Sequence, residues 1–238
     1  MFNLSGTKEL RLSDGSIITY ELIKKSRRTI GLKITPKGLV VYSPLLITKN
    51  MIDQLLQNKS KWIQKKLLLT ITDEAPFEIK NGERFNLFDK EIIITLTEGV
   101  SNISIEKSRC VISFIDLSNH LKLKKFFLSW INKYALIHFS QRVESLCENN
   151  NLKVQTVLTS NAKTRWGTCN SRKEIRLNWR LIQSPPFVID YVICHELSHL
   201  KFMNHSKDFW NEVQLLSPNY RKAEQYLKEN GFKLYRLD

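Results

Sequence analysis

The sequence predicts an α+β protein in which a β-rich N-terminal lobe, residues 1–117, precedes a second lobe, residues 118–238, that mixes helices with a few strands. Two observations favour this division. Segments rich in β-branched residues and separated by turn signals dominate the first half. In the second half, apolar residues recur mainly at helical spacing. The 238 residues, 42% of them hydrophobic, suffice for one large domain or two small ones.

The first half contains one helical pattern among its strands. Thr48 is a suitable N-cap, and apolar residues follow at helical spacing to about Leu69. A turn is expected at residues 36–38 and a polar linker at residues 73–76, since both stretches contain proline and polar residues. Extended segments are predicted at residues 16–23, 29–35, 39–42, 77–79, 85–87, 91–96, 103–105 and 110–115.

The second half begins with a long helix. Its apolar stripe runs from about Leu121 to Cys147. Strands are predicted at residues 154–158 and 174–179, around a turn centred on Gly167. Ser184-Pro185-Pro186 is typical of a helix start, with the serine as N-cap, and that helix should reach about Phe202. A last helix should begin at Ser217-Pro218 and end at Gly231.

The charge is strongly positive and unevenly distributed. There are 37 basic and 23 acidic residues, a net charge of +14. Eleven basic and two acidic residues lie between Glu21 and Thr70. This excess suits a surface that attracts nucleic acid or another polyanion, although an ordinary solvated surface accounts for it equally well. No motif with base-reading residues is present, so the charge does not predict sequence recognition.

The cysteines and the hydropathy indicate a cytoplasmic protein with free thiols. Four cysteines are spread along the chain without a Cys-x-x-Cys pair. This spacing excludes a fold held together mainly by disulfides or by a cysteine-based zinc finger. No apolar run approaches the roughly 18 residues of a membrane span. The N-terminal residues lack the basic-then-apolar pattern of a signal peptide.

The most specific pattern is His-Glu-x-x-His at residues 195–199, on a predicted helix. His195 and His199, four residues apart, lie on one helix face and can reach one ion. Glu196 is rotated by about 100° from His195. It therefore lies beside the metal, where it can accept a proton from an activated water. Cys194 points toward the apolar side of the helix and is expected to be a buried small hydrophobe.

A catalytic zinc site needs three protein ligands and an open position. His205 is the expected third ligand, because three of the five histidines then fall within eleven residues. Glu212 and Glu224, farther along the chain, are the rival candidates. The His-x5-His spacing also occurs in metzincins, but Phe202 stands where those proteins have glycine. Met203-Asn204 is the expected corner between the second and third histidines.

Several blocks around this motif resemble the YgjP-like metallopeptidase family, and more distantly SprT-like and other zincin-type peptidases. The blocks are Arg165-Trp166-Gly167-Thr168-Cys169, Ile175-Arg176-Leu177-Asn178, Asp190 to Leu200, and Asn204 to Trp210. The resemblance implies a zincin-like second lobe with an HExxH active-site helix. It also implies a zinc-dependent hydrolase with His195, His199 and His205 as ligands and Glu196 as general base, in agreement with the spacing.

The sequence therefore predicts a cytoplasmic zinc metallopeptidase that acts on peptide or protein substrates, with no membrane association. The strand at residues 174–179 is expected to be the sheet edge on which an extended peptide docks. Arg165 is either a surface arginine or an oxyanion contact, Asn178 a hydrogen-bonding anchor, and Asp190 either an orienting acceptor or a helix-start acid. Two alternatives stay open: a metal-dependent nucleotide pyrophosphatase, and a polyanion- or nucleic-acid-binding module with a vestigial zinc site.

Overall fold

The computed structural model describes residues 5–35, 38–70 and 77–238. The predicted linker at residues 73–76 and most of the predicted turn at residues 36–38 lie outside these ranges. The chain divides into two compact units, Met1–Ala75 and Pro76–Asp238. Both contain strands and helices, which confirms the mixed α+β class.

The first unit contains a four-stranded sheet: β1 (Ser5–Arg11), β2 (Ile17–Lys24), β3 (Gly31–Thr35) and β4 (Gly38–Ser43). Its strand order is β1-β2-β4-β3, with β2 and β4 parallel and the other neighbours antiparallel. Alternation along β2 buries Ile18 and Tyr20 on one face. The sequence did not predict β1.

Two helices follow the sheet, α1 (Lys49–Asn58) and α2 (Ser60–Thr70). The Thr48 hydroxyl accepts a hydrogen bond from the Met51 amide, which confirms the predicted N-cap. The single predicted helix is interrupted at Lys59, the C-cap of α1. A small core unites the sheet and the helices, formed by Leu12, Ile18, Tyr20, Leu39, Val41, Ile52, Leu56 and Ile63.

The second unit begins with another four-stranded sheet, formed by β5 (Arg84–Leu87), β6 (Lys90–Glu98), β7 (Asn102–Glu106) and β8 (Arg109–Phe114). Its order, β5-β6-β8-β7, and its strand directions are the same as those of the first sheet. The two sheets share one topology, although the sequence shows no internal repeat. No strand forms at the predicted segment 77–79, where Phe77 and Ile79 are nevertheless buried.

The long predicted helix is α3 (His120–Asn149), and its buried stripe includes Leu123, Phe127, Ile131 and Phe139. These side chains belong to one core together with the strands β5–β8 and the helices that follow. The Phe127 ring, for example, lies 5.3 Å from the Phe85 ring of β5, centroid to centroid. The predicted lobe boundary at residues 117–118 therefore falls inside the second unit, because α3 packs on the strands that precede it.

A three-stranded sheet and three helices complete the second unit. The strands are β9 (Thr156–Ser160), β10 (Gly167–Cys169) and β11 (Glu174–Asn178), and a 3-10 helix spans Trp179–Gln183. The helices are α4 (Pro186–Ser198), α5 (Lys207–Leu216) and α6 (Tyr220–Asn230). The strand order is β10-β11-β9, with β11 antiparallel to β10 and parallel to β9. Neither β10 nor α5 was predicted. Among the described residues, no helix is both long and apolar enough to cross a membrane.

Candidate metal centre

Helix α4 carries the first part of the candidate site. It begins with Pro186 at its first position, where the missing N–H costs nothing. Pro185, not the predicted Ser184, occupies the N-cap, and no side chain caps the helix there. The helix ends at Ser198, four residues before the predicted end, so His199 is its C-cap residue in helical conformation. His195 and His199 therefore still lie about one turn apart.

A tight turn after α4 returns the chain toward the helix. The Leu200 and Phe202 amides donate to the carbonyls of Leu197 and Ser198. Helix α5 then starts at Lys207 with Ser206 as its N-cap, whose hydroxyl accepts from the Phe209 amide at 3.4 Å. His205 immediately precedes this cap, so the start of α5 fixes its backbone position.

The turn brings the three predicted ligands together. One ligand nitrogen from each of His195, His199 and His205 lies within 4.8 Å of the other two. The Nε2 atoms of His195 and His205 are 3.2 Å apart. Two ligands of a tetrahedral zinc, each at 2.0–2.1 Å, are about 3.3 Å apart, so the donor set fits such an ion. Met203-Asn204 lies within the turn, as predicted.

The protonation of the imidazoles favours metal binding. Burial, and then the neighbouring His199 and His205, lower the pKa of His195 to about 4. Burial also lowers the pKa of His199. Both rings are therefore neutral at pH 7, as metal ligands must be. The His199 Nδ1 lies 3.0 Å from the Phe202 carbonyl, which assigns the proton to Nδ1 and leaves Nε2 for an ion.

An aromatic floor holds the three rings in place. Phe209, fully buried, packs with its ring centroid 4.9, 4.6 and 4.7 Å from those of His195, His199 and His205. Trp210 lies 5.8 Å from His195 and 6.0 Å from His205. The two residues of α5 that form this floor come four and five positions after the third histidine, so one short segment provides both a candidate ligand and its support.

The rival ligands have other partners. The Glu212 carboxylate accepts from Lys201 Nζ at 2.7 Å. Glu224 hydrogen-bonds to Tyr191, and this contact, after burial, helps to raise the pKa of the tyrosine. Cys194 is buried, as predicted, with its Sγ 3.5 Å from the Leu216 carbonyl. A further histidine, His138 on α3, packs against Tyr134, with their ring centroids 4.4 Å apart.

Glu196 occupies the most enclosed position of the site. Its side chain is only 4% exposed, and burial raises its pKa to about 8. The carboxylate lies directly against Gly167 of β10. A Cβ atom at residue 167 would lie 2.8 Å from both Cγ and Cδ of Glu196 and would also clash with Oε1. The sequence assigned Gly167 to a turn, but its missing side chain instead leaves room for the Glu196 carboxylate.

The edge strand of the three-stranded sheet beside the site is β10. The strand predicted as the docking edge, residues 174–179, corresponds to β11, and this assignment is wrong. Both edges of β11 are already paired, one with β10 and the other with β9. Among the described residues, β10 pairs with no strand on its other edge. The edge next to Glu196 therefore consists of Gly167, Thr168 and Cys169.

A buried arginine, which the sequence did not single out, anchors the loop before β10. Arg180, 2% exposed, bonds to Asn178 Oδ1, Asp238 Oδ1 and Asn161 Oδ1, the last at 2.6 Å. The Asn178 amide donates in turn to the Ala162 carbonyl at 2.7 Å. These bonds fix the loop of residues 161–166, so Asn178 is an anchor, as predicted. Nothing in the sequence distinguishes Arg180 from the surface arginines.

The other flanking polar residues are placed as follows. The Arg165 side chain is exposed. Asp190 forms a bidentate pair with Arg142 of α3, at 2.6 and 2.9 Å, so it links two helices. Trp179 is buried, whereas Trp166 is half-buried and packs beside Tyr235 with centroids 5.6 Å apart.

Comparisons with known proteins identify the family to which this chain belongs. Residues 28–230 match a family model described as YgjP-like, metallopeptidase domain. No protein with curated annotation matches the sequence. Two solved structures share local similarity, both metallopeptidase zymogens. Jannalysin of Methanocaldococcus jannaschii has 21% identity and a TM-score of 0.34, over 39% of this chain and 95% of its own. Abylysin of Pyrococcus abyssi has 23% identity and a TM-score of 0.35, over 40% of this chain and 94% of its own.

Proposed function

Because this chain belongs to the YgjP-like metallopeptidase domain family, we propose that it is a zinc-dependent peptidase whose metal is held by His195, His199 and His205, with Glu196 as general base. The family indicates a metal-dependent peptidase. The main support for the proposed zinc ligands and general base is that three imidazole nitrogens lie within 4.8 Å of one another, beside a buried carboxyl.

The donor set favours zinc over harder ions. Three neutral imidazoles suit zinc, whereas calcium and magnesium prefer oxygen ligands. No fourth histidine, cysteine or carboxylate belongs to the cluster among the described residues. A three-ligand site of this kind keeps a coordination position for water or substrate, which is typical of catalytic zinc and not of structural zinc.

The chemistry follows from the position of Glu196. A bound zinc ion would supply a Lewis acid that lowers the pKa of a water molecule and polarises the scissile carbonyl. Glu196, ionised, accepts the proton of the attacking water and then donates it to the leaving amine. Its burial makes the carboxylate a stronger base than an exposed glutamate, because the charged form is poorly solvated there. Phe209 and Trp210 keep the histidine rings from rotating.

The edge of β10 is the proposed docking strand for the substrate. An extended peptide that pairs with Gly167, Thr168 and Cys169 would continue the three-stranded sheet by one strand. Because Gly167 lies against the Glu196 carboxylate, such a peptide passes beside the general base. Main-chain pairing of this kind binds many sequences, which suits a peptidase that acts on unfolded segments.

The test is incubation of an unfolded protein with the zinc-loaded full-length chain, followed by mass spectrometry of the products. We expect new peptide masses with the wild type and none with Glu196→Gln, at equal zinc content. Glu229→Gln, an exposed substitution on α6, is the matched control and should cleave as the wild type does. Absence of cleavage by a stoichiometrically zinc-loaded wild type would reject the peptidase.

The same preparation tests the alternatives. Release of phosphate or pyrophosphate from nucleoside triphosphates, lost in Glu196→Gln, would identify a nucleotide pyrophosphatase. Nucleic-acid binding without any hydrolysis would identify a binding module with a vestigial zinc site. The cytoplasmic location stays a prediction from the scattered cysteines, all four of which are free thiols in the structure.

A further inference from the structure

A basic surface of the first unit lies outside the metal centre and is not explained by peptide hydrolysis. Between Leu22 and Ile52 the sequence contains seven basic residues and no acidic one. This stretch forms the end of β2, the strands β3 and β4, and the start of α1. Lys24 and Lys33 lie on β2 and β3, and Lys25, Arg27 and Arg28 lie in the connection between these two strands.

The register of the strands assigns Lys33 and Tyr42 to one face of the sheet. Leu39 and Val41 of β4 point toward the core formed with the helices. Because side chains alternate along a strand, Tyr42 points to the opposite face. The antiparallel register pairs Tyr42 with Gly31 and Val40 with Lys33 of β3. On this face, called the open face, Lys33 is exposed and Tyr42 is half-buried, while Val40 is buried.

Two cations are held against Tyr42 on the open face. The guanidinium carbon of Arg27 lies 5.9 Å from the centre of the Tyr42 ring, and Lys25 Nζ lies 5.2 Å from it. Arg27 also lies over Gly31, where an added Cβ would be 2.8 Å from both Nη1 and Nη2. The missing side chain of Gly31 therefore lets the guanidinium lie close to the strand.

Within the part of the chain that the structure describes, no carboxylate lies within 4.0 Å of the Lys25 or Arg27 side chain to neutralise it. Arg28, the next basic residue, is also exposed. Like charges placed together without a counterion repel one another, and an anionic ligand relieves that repulsion. The flat guanidinium beside an aromatic ring also offers a surface on which a base can stack.

We propose that this face, made of Lys25, Arg27, Arg28, Lys33 and Tyr42, binds single-stranded nucleic acid. Each of the four cations neutralises one backbone phosphate, and one base stacks on the Arg27–Tyr42 pair. A single strand is favoured over a duplex because stacking on a sheet needs an unpaired base. The contacts carry no sequence information, since phosphates are common to all sequences.

The test is fluorescence anisotropy of a labelled 20-nucleotide oligothymidylate with the full-length protein over a series of salt concentrations. Four cations predict a slope of log K against log[salt] of about −2.8, from about 0.7 per phosphate on a single strand. Arg27→Gln/Arg28→Gln should reduce the slope by about 1.4 and, at 0.1 M salt, the affinity by about 25-fold. Tyr42→Leu should weaken binding at least about 5-fold without changing the slope.

The matched control is Lys59→Gln/Lys61→Gln, which removes two exposed charges of the same unit from the helical segment. It should retain most of the affinity, and circular dichroism checks the fold of every variant. Three results would overturn the proposal: no binding at 50 mM salt, equal losses in the two double variants, or tighter binding to duplex or to anionic vesicles than to the single strand. None of these depends on peptidase activity.

Discussion

Substitution of Gly167 by alanine tests how the edge strand positions the general base. The added Cβ would lie 2.8 Å from Cγ and Cδ of Glu196, whereas carbon atoms in contact are normally about 3.5–4.0 Å apart. Either the carboxylate or the strand must therefore move by about 1 Å. Glu196 is 4% exposed and has little free space around it, so relief requires a new rotamer or a displaced β10.

The displacement should reduce catalysis far more than metal binding. A shift of about 1 Å in a catalytic group can cost about 10²-fold in rate, so we expect kcat/KM for a peptide substrate to fall about 100-fold in Gly167→Ala. The three atoms nearest to the added methyl group all belong to Glu196 and none to a histidine, so the zinc content should stay at one per chain. Overpacking should lower the free energy of unfolding by about 1–3 kcal/mol.

The assay compares kcat/KM, zinc content and thermal unfolding of three proteins. The wild type and Gly167→Ala are measured beside Gly6→Ala, a strand glycine whose added Cβ would meet no atom within 4 Å. We expect Gly6→Ala to behave as the wild type does. Wild-type kcat/KM in Gly167→Ala would refute the proposed alignment of Glu196 by β10. A parallel loss of zinc would show instead that the strand acts through the ligands.

Two further predictions concern stability. In the metal-free protein, folded Glu196 has a pKa of about 8, whereas in the unfolded chain its pKa returns to the ordinary value of 4.5, so stability should fall as pH rises between these values. Glu196→Gln should therefore be more stable than the wild type above pH 5. In urea titrations, the difference in the free energy of unfolding should grow by at most about 1.4 kcal/mol per pH unit up to pH 8. A difference that does not depend on pH would contradict this. Arg180→Met leaves Asp238 without its buried partner and should lower the free energy of unfolding by about 3 kcal/mol. Lys163→Met, whose exposed ammonium lies 4.0 Å from Asp238, should cost less than about 0.5 kcal/mol, and similar losses in the two variants would argue against a buried anchor.

Local patterns were sufficient for the long elements of this fold. Helix α3 was predicted to within a few residues because its apolar stripe repeats over 30 residues. The N-cap at Thr48 was also predicted, since a cap depends on residues three positions apart. The short strand β10 was not predicted, because three residues carry no measurable alternation. Its pairing with β11 depends on the fold and not on its own sequence.

The division into units was harder to predict for a related reason. The change from strand-like to helical spacing near residue 117 marks a change of secondary structure but not a division between the compact units. Packing depends on which apolar faces meet, and the stripe of α3 meets the strands before it, as the contact of Phe127 with Phe85 illustrates. The structural division at Ala75 coincides instead with the short polar segment before Pro76.

The candidate site depends both on local sequence spacing and on packing between distant segments. His195, Glu196 and His199 are fixed relative to one another by helical geometry alone, and His205 follows after one short turn, so the cluster of three histidines could be predicted from spacing. The environment that would make Glu196 a base comes from Gly167, 29 positions earlier, through a contact that no local pattern encodes. Sequence spacing therefore predicts which residues meet, but the basicity and alignment of Glu196 depend on the strand that packs against it. For this reason Gly167→Ala, which alters no ligand and no proton donor, is the sharpest test of the proposed mechanism.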